Sequence, residues 1–102
     1  MSRRYLLVKV LYGKDFTAQQ FHGALNSSVR THFGDVGFAR IDPKIIRFNQ
    51  STLTSIVSCE KNAVKELASA LALIIDSGGA TITVLVLAAS GTIKGLRKRK
   101  VG

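Results

Sequence analysis

Six stretches of this 102-residue chain alternate between strand-like and helix-like patterns, and their order limits the folds open to it. Short stretches rich in β-branched and other apolar residues are typical of strands, while apolar residues recurring every three or four positions indicate helices. The order is β-α-β-β-α-β, which predicts a four-stranded antiparallel sheet with both helices on one face, the ferredoxin-like plan. The predicted strands are 4–12, 44–48, 53–58 and 81–88, and the predicted helices are 18–33 and 60–75.

The first helix has the clearest sequence signals. Thr17 and Gln20 have the spacing of a capping box, in which each side chain accepts a hydrogen bond from the other residue's backbone N–H. Apolar residues then repeat every fourth position, at Phe21, Leu25, Val29 and Phe33. Gly34 is a typical helix stop. We therefore expect residues 34–37 to turn the chain.

Positive charge is concentrated at the C-terminal end. The chain has 15 Lys and Arg residues against 6 Asp and Glu residues, a net charge of +9, and residues 90–102 hold five of the cations and no acid. Such a cluster binds a polyanion because phosphate neutralisation releases condensed counterions. The alternative is a solvated tail. We predict a folded domain over 1–89 followed by a basic segment over 90–102.

The residues at positions 90–92 are open to two interpretations. Ser90-Gly91-Thr92 can form a tight turn whose backbone amides face an anion, or it can cap a short helix over 93–100. Arg3 and Arg4 begin the first strand, and their distance from the C-terminal cations depends on how the tail folds back. The candidate phosphate contacts are Arg3, Arg4, Lys94, Arg97, Lys98, Arg99 and Lys100.

One face of the predicted sheet is unusually apolar. Every second residue of a strand points to the same face of the sheet. In the first and last predicted strands, the residues expected to face the helices are Leu6, Val8, Val10, Ile82, Val84 and Val86. The opposite face would carry Lys9 and four leucines, Leu7, Leu11, Leu85 and Leu87. An apolar patch on a soluble protein indicates a protein contact. We expect these leucines to meet a partner subunit or a second copy, unless a loop or terminal segment covers them.

The sequence argues against base stacking and catalysis. RNA-recognition motifs stack bases on aromatic residues of the central strands, and residues 53–58 contain none. His22 and His32 are too far apart on the first helix to share a metal ion, and we expect both at the helix surface. Cys59 is the single cysteine, predicted to fill space at a strand end. We expect no catalytic site, no bound cofactor, and no membrane span, since no apolar run approaches about 18 residues.

Three short motifs occur in an order and spacing that resemble a known family. They are Arg4-Tyr5-Leu6-Leu7, His32-Phe33-Gly34-Asp35-Val36-Gly37 and Ser90-Gly91-Thr92-Ile93-Lys94. The chain resembles the Pop-five/Rpp-fourteen family of archaea and eukaryotes, the small protein subunit shared by ribonuclease P and ribonuclease MRP. The resemblance extends over nearly the whole chain.

The resemblance implies a non-catalytic role in removing the 5′ leader from precursor tRNA. The catalytic RNA and its magnesium would perform the chemistry, while this chain would neutralise phosphates and dock a TIM-barrel protein subunit. The implied location is the nucleus or nucleolus in a eukaryote and the cytoplasm in an archaeon. The alternative is a ligand-sensing or protein-binding module of the same fold without an RNA role.

Overall fold

The computed structural model describes residues 2–11, 17–72 and 82–99, the last three by their backbone alone. The predicted β-α-β-β-α-β order is confirmed, with a short third helix added at the end. The elements are β1 (Arg3–Leu11), α1 (Ala18–Ile41), β2 (Lys44–Asn49), β3 (Thr54–Glu60), α2 (Val64–Ala72), β4 (Thr83–Ser90) and α3 (Ile93–Arg99).

The four strands form one antiparallel sheet in the order β2-β3-β1-β4. β2 and β3 pair as the predicted hairpin. β3 extends to Glu60, and a 3₁₀ turn over Lys61–Ala63 separates it from α2, so the second helix begins later than predicted. The predicted ends at Tyr12, Ile75 and Thr81 lie outside the described residues.

Helix α1 begins with the predicted capping box. The Gln20 N–H donates to Thr17 Oγ1 at 3.1 Å, and the Thr17 N–H donates to Gln20 Oε1 at 2.8 Å. The reciprocal pair satisfies two backbone donors that have no partner within the first helical turn.

The predicted stop at Gly34 is confirmed as an interruption of the helix, but the prediction that residues 34–37 turn the chain is wrong. The backbone kinks at Gly34 (φ 70°, ψ −179°), and the helical path then resumes as far as Ile41. Ile41 is fully buried and Phe38 packs against the core, so tertiary contacts give the second segment a reason to continue. A Cβ at Gly37 would lie 2.5 Å from Phe33 Cβ, which shows why glycine recurs after the kink.

Asp42 ends α1 in the left-handed conformation (φ 49°), and its N–H donates to Phe38 O at 2.8 Å. Pro43 follows and cannot continue a helix. This abrupt end places Asp42 beside the start of β1, where its side chain meets Arg3.

The core lies between the sheet and helices α1 and α2. Leu6, Val8 and Val10 of β1 are buried there as predicted. Burying a side chain of this size contributes about 1.5–3 kcal/mol. Helices α1 and α2 and the residue just before β4 add further buried side chains: Phe21, Leu25, Val29, Ile41, Leu67, Leu71 and Ile82.

A bulge in β4 changes the predicted alternation. Leu7 pairs with Ala88 and Val8 pairs with Val86, which leaves Leu87 as the extra residue. The prediction that Val86 belongs to the core is wrong, because its side chain is 43% exposed. β4 is an edge strand, so Val86 has a neighbouring strand on one side only.

Candidate nucleic-acid interface

All four acidic residues in the described part of the chain already have cationic partners. The Arg40 guanidinium hydrogen-bonds Glu66 at 2.7 Å and holds the pKa of that carboxyl below its usual value. Few acids among the described residues are therefore left to pair with the other lysines and arginines. The other ion pairs formed by the arginines are Arg30–Asp35 at 2.7 Å, Arg3–Asp42 at 2.7 Å and Arg3–Glu60 at 3.7 Å.

Strand pairing gathers cations at one end of the sheet. The start of β1 lies beside the end of β3, and Tyr5 pairs with Ser90 at the end of β4. The start of β2 reaches the same end, because Lys44 pairs with Ser58. We call the four cations at this end the basic edge: Arg4, Lys44, Lys61 and Lys94.

The members of the basic edge have few anionic neighbours. Lys44, Lys61 and Lys94 are exposed, and Arg4 is half-buried. Lys44 Nζ lies 3.9 Å from Asp42 Oδ2, an oxygen that Arg3 already holds more closely. Within residues 2–11, 17–72 and 82–96, no acidic side chain pairs with the other three.

Arg3, which was predicted as a phosphate contact, is committed to internal partners. Its guanidinium donates to Asp42 Oδ2 at 2.7 Å, to Asp42 O at 2.8 Å and to Ser58 Oγ at 2.8 Å. The side chain is 19% exposed. Arg3 thus braces β1 against β3 and the end of α1. We leave it out of the basic edge, since an RNA phosphate would have to displace these bonds.

Arg4 lies on the opposite side of the same strand, against the turn that begins α3. A Cβ built on Gly91 would lie 2.8 Å from Arg4 Nη1. Arg4 therefore lies beside Gly91, in the turn that leads into the C-terminal basic segment.

The cap interpretation of Ser90-Gly91-Thr92 agrees with the structure. The Gly95 N–H donates to Thr92 Oγ1 at 2.9 Å, and the Thr92 N–H donates to Ser90 Oγ at 3.3 Å. Leu96 is only 1% exposed but does not belong to the core under α1 and α2. Helix α3 packs against β1 and β4, so the basic segment is docked as far as this helix.

The remaining predicted phosphate contacts fall where side chains are not described. Arg97, Lys98 and Arg99 belong to α3 by their backbone, and Lys100 lies outside the described residues. Lys44 and Lys61 were missed from sequence. Their position at the ends of β2 and β3 was the available signal, because antiparallel pairing brings those ends to the start of β1.

A second surface is apolar. We call it the apolar patch: Leu11 (46% exposed), Leu85 (44%), Val86 (43%) and Leu87 (52%). Leu11 and Leu85 lie on the sheet face opposite α1 and α2, at positions paired with Thr83 and Lys9. Leu7, predicted with them, is half-buried on the same face. Lys9, predicted to lie among the leucines, donates a hydrogen bond from Nζ to Thr52 O at 3.3 Å.

The histidines and the cysteine, which the sequence analysis considered for metal binding or catalysis, occupy ordinary surface and buried positions. His22 and His32 lie at the surface of α1, as predicted, with His32 Nδ1 2.8 Å from Ser28 O. Cys59 is buried, and burial raises the pKa of its thiol to about 11. No cluster of three or more potential metal ligands occurs within the described residues. Among the helices described, none has the length and apolarity to span a membrane.

The chain is similar in sequence and in fold to known proteins. Ribonuclease P protein component 2 of Pyrococcus furiosus is 34% identical over 99 residues, covering 96% of this chain and 82% of that protein. The protein of the same name from Pyrococcus horikoshii is 31% identical, with coverage of 96% and 82%. A chain in the cryo-EM structure of yeast ribonuclease MRP superposes with a TM-score of 0.71 over 89% of this chain and 75% of that chain. At 12% identity, this last match supports the fold alone.

The match to a known family includes basic residues at both ends of the chain. The model of the Rpp14/Pop5 family matches residues 4–101, from the start of β1 to beyond α3. The match therefore includes Arg4, Gly91 and Lys94 as well as the whole sheet. The chain belongs to the Rpp14/Pop5 family.

Proposed function

We propose that this chain is a non-catalytic protein subunit of ribonuclease P. In this proposal it binds RNA phosphates along its basic edge and docks a TIM-barrel protein subunit on its apolar patch. The catalytic RNA and its magnesium remove the 5′ leader of precursor tRNA, and this chain supports the folded RNA. The names of the archaeal relatives support the assignment to ribonuclease P.

The observation that carries the RNA-binding role is the unequal distribution of charge. The described acids are paired mainly with Arg3, Arg30 and Arg40, while the cations of the basic edge lie at one end of the sheet with few anionic neighbours. Phosphates placed there would supply the missing negative charge and release counterions. No aromatic residue occurs in β3, so the affinity would come from the backbone of the RNA rather than from stacked bases.

The relatives from the two Pyrococcus species, together with one from Methanocorpusculum labreanum that is 28% identical, are archaeal. We accordingly place the assembled subunit in the cytoplasm. Ribonuclease MRP, in which the structure similar in fold was determined, is a second candidate assembly. The purification described next would detect it.

The test is to purify the tagged full chain from its own cells and to sequence the RNA that accompanies it. We expect ribonuclease P RNA to be enriched. Recovery of protein partners without this RNA or ribonuclease MRP RNA would contradict the proposal and favour a protein-binding module. Recovery of ribonuclease MRP RNA alone would move the assignment to that particle.

The same purification can test the basic edge with two matched triple variants. Lys44→Gln/Lys61→Gln/Lys94→Gln removes three edge cations, and Lys9→Gln/Arg30→Gln/Arg47→Gln removes three cations elsewhere. Each neutralised phosphate contributes a little under one unit to the log–log salt dependence. We expect the edge variant to flatten the slope for the recovered RNA by about two units, and the control by less than about half a unit. Equal slopes would contradict a localised phosphate site.

A further inference from the structure

The two consecutive arginines of β1 differ in what their side chains contact. Arg3 pairs with Glu60 across the sheet and binds Asp42 and Ser58. Arg4 points to the opposite side, since its partner across the sheet is the buried Cys59. Within residues 2–11, 17–72 and 82–96, Arg4 has no acidic partner. Its half-buried guanidinium therefore retains donors for an external anion.

The absence of a side chain at Gly91 leaves room for the Arg4 guanidinium against the turn. The position that a Gly91 Cβ would occupy is 2.8 Å from Arg4 Nη1 and 3.7 Å from its Cζ. A real Cβ contact is almost never so short, so a side chain at position 91 would displace the guanidinium. Gly91 does not have a positive φ in this structure, which means that backbone conformation alone does not require glycine there.

The turn that supports Gly91 is held by contacts on both sides. Ser90 Oγ accepts from the Thr92 N–H at 3.3 Å, and Thr92 Oγ1 accepts from the Gly95 N–H at 2.9 Å. A Cβ at Gly95 would collide with the Ser90 hydroxyl. Leu96 is buried one position further along. The backbone of this turn restricts the Arg4 side chain before any ligand binds. Binding would therefore cost less side-chain conformational entropy.

We propose that Arg4, positioned by Gly91, binds one phosphodiester group of the RNA backbone. A guanidinium suits this role because its planar fork can donate two hydrogen bonds to one phosphate. Lys94, three residues after Gly91 and exposed, supplies a second cation on the adjoining helix. The site rests on the proposed RNA-binding function and adds a specific contact to it, with Gly91 as a positioning residue.

Gly91→Ala tests this site without changing any charge. The group that must move is the far end of a flexible side chain, so we expect the variant to fold with an unchanged thermal midpoint. Gly23→Ala is the matched control, because a Cβ there has no atom within 4 Å. Binding of the full-length chain to ribonuclease P RNA is measured as a function of KCl concentration. We expect Gly91→Ala to weaken binding about three- to tenfold and to flatten the salt slope by up to about one unit. Gly23→Ala should match the unmodified chain within twofold.

Arg4→Gln provides the second variant and shows whether the glycine acts through the arginine. We expect Arg4→Gln to flatten the slope by about one unit, and adding Gly91→Ala to change nothing further. The inference is overturned if Gly91→Ala binds like the Gly23→Ala control, or if it weakens binding equally with and without Arg4. Arg4→Lys should keep most of the salt slope but lose the affinity that depends on paired donors.

The outcome can be separated from failure of the proposed function. If the triple edge variant loses salt dependence while Gly91→Ala and Arg4→Gln do not, the basic edge binds RNA without Arg4, and only this inference fails. If the triple edge variant also behaves like its control, the phosphate-binding function itself fails. Heparin in place of RNA should respond to Arg4→Gln but much less to Arg4→Lys; an equal response of RNA and heparin to Arg4→Lys would contradict a shaped phosphate contact.

Discussion

The basic edge and the apolar patch lie in different parts of the molecule, and their residues are available for contact for different reasons. At the basic edge, the acids Asp42 and Glu60 both contact Arg3, and Asp42 lies farther from Lys44, at 3.9 Å. The other edge cations have no acidic partner among the described side chains. At the apolar patch, a bulged edge strand exposes three consecutive residues, Leu85, Val86 and Leu87. In the proposed function, the first region would meet the phosphates of an RNA and the second would meet an apolar surface of a partner.

The two regions also differ in how much their leucines should contribute to the free energy of unfolding. Helix α3 connects the two regions, because it follows β4 directly and carries Lys94 to the basic edge. Leu96 anchors this helix, whereas Leu87 on the preceding strand has no comparable burial. Two leucines nine residues apart thus differ in burial, and substitutions at each should separate docking of α3 from the proposed docking of a partner.

The largest expected effect comes from Leu96→Ala. Removing a buried leucine side chain costs about 2–5 kcal/mol in the free energy of unfolding. We expect a loss of about 3 kcal/mol in urea denaturation, together with faster tryptic cleavage in the Lys- and Arg-rich α3. Leu87→Ala is the matched control and should cost less than about 1 kcal/mol. Equal costs for the two leucines would show that α3 is not anchored by Leu96.

A smaller effect is expected from Leu85→Gln/Leu87→Gln, which changes the apolar patch without changing charge. We expect the dissociation constant for the TIM-barrel ribonuclease P subunit to rise at least tenfold, about 1.4 kcal/mol, because apolar anchors dominate interfaces of this kind. RNA binding should stay within twofold. Isothermal titration calorimetry measures the first and filter binding the second.

Two results would change the assignment of the apolar patch. If the affinity for the partner subunit is unaffected, this subunit does not dock there. If sedimentation shows a homodimer that the double variant abolishes, the patch belongs to a second copy of the chain. A parallel loss of RNA affinity would remove the distinction between the two regions.

The smallest effect is expected at Cys59, which lies under the basic edge opposite Arg4 in the sheet. Burial raises the pKa of the thiol from 9.0 to about 11 and outweighs the nearby Arg3 charge. Iodoacetamide should therefore leave Cys59 unmodified at pH 8 in the folded chain and label it in urea, since the thiolate is the reactive form. Rapid labelling of the folded chain would show that the basic edge opens readily.

The same shift has a pH consequence with a definite sign. The folded pKa lies above the unfolded one, so the contribution of Cys59 to stability is complete below about pH 9. It declines as the pH rises from about 9 towards 11, because the thiol ionises first in the unfolded chain. Cys59→Ser should reduce this decline in an unfolding series over that range.

Local signals predicted the parts of the fold that depend on neighbouring residues. The Thr17–Gln20 box was predicted correctly because both partners lie within one helical turn. Alternation along β1 predicted the buried Leu6, Val8 and Val10, since a strand's faces follow from its period of two. The continuation of α1 beyond Gly34 was missed because Phe38 and Ile41 are held by distant parts of the chain.

The candidate site was predicted less completely. The sequence identified Arg4 and Lys94 as cations, and it also named Arg3, which the fold directs to Asp42. Alternation along β1 places Arg3 and Arg4 on opposite faces, but it does not identify what each contacts, because the partners of Arg3 lie 39 and 55 residues away. Lys44 and Lys61 join the edge only through strand pairing.

By itself, the sequence determined the order of strands and helices, the cap of α1, the apolar side of β1 and the excess of positive charge, because each depends on residue type and short spacing. The tertiary structure alone decided which cations remain without acids, where Gly91 meets Arg4, and which leucines stay exposed. Those properties depend on distances between residues far apart in the chain. Antiparallel pairing and the β4 bulge set these distances, and no local pattern encodes them.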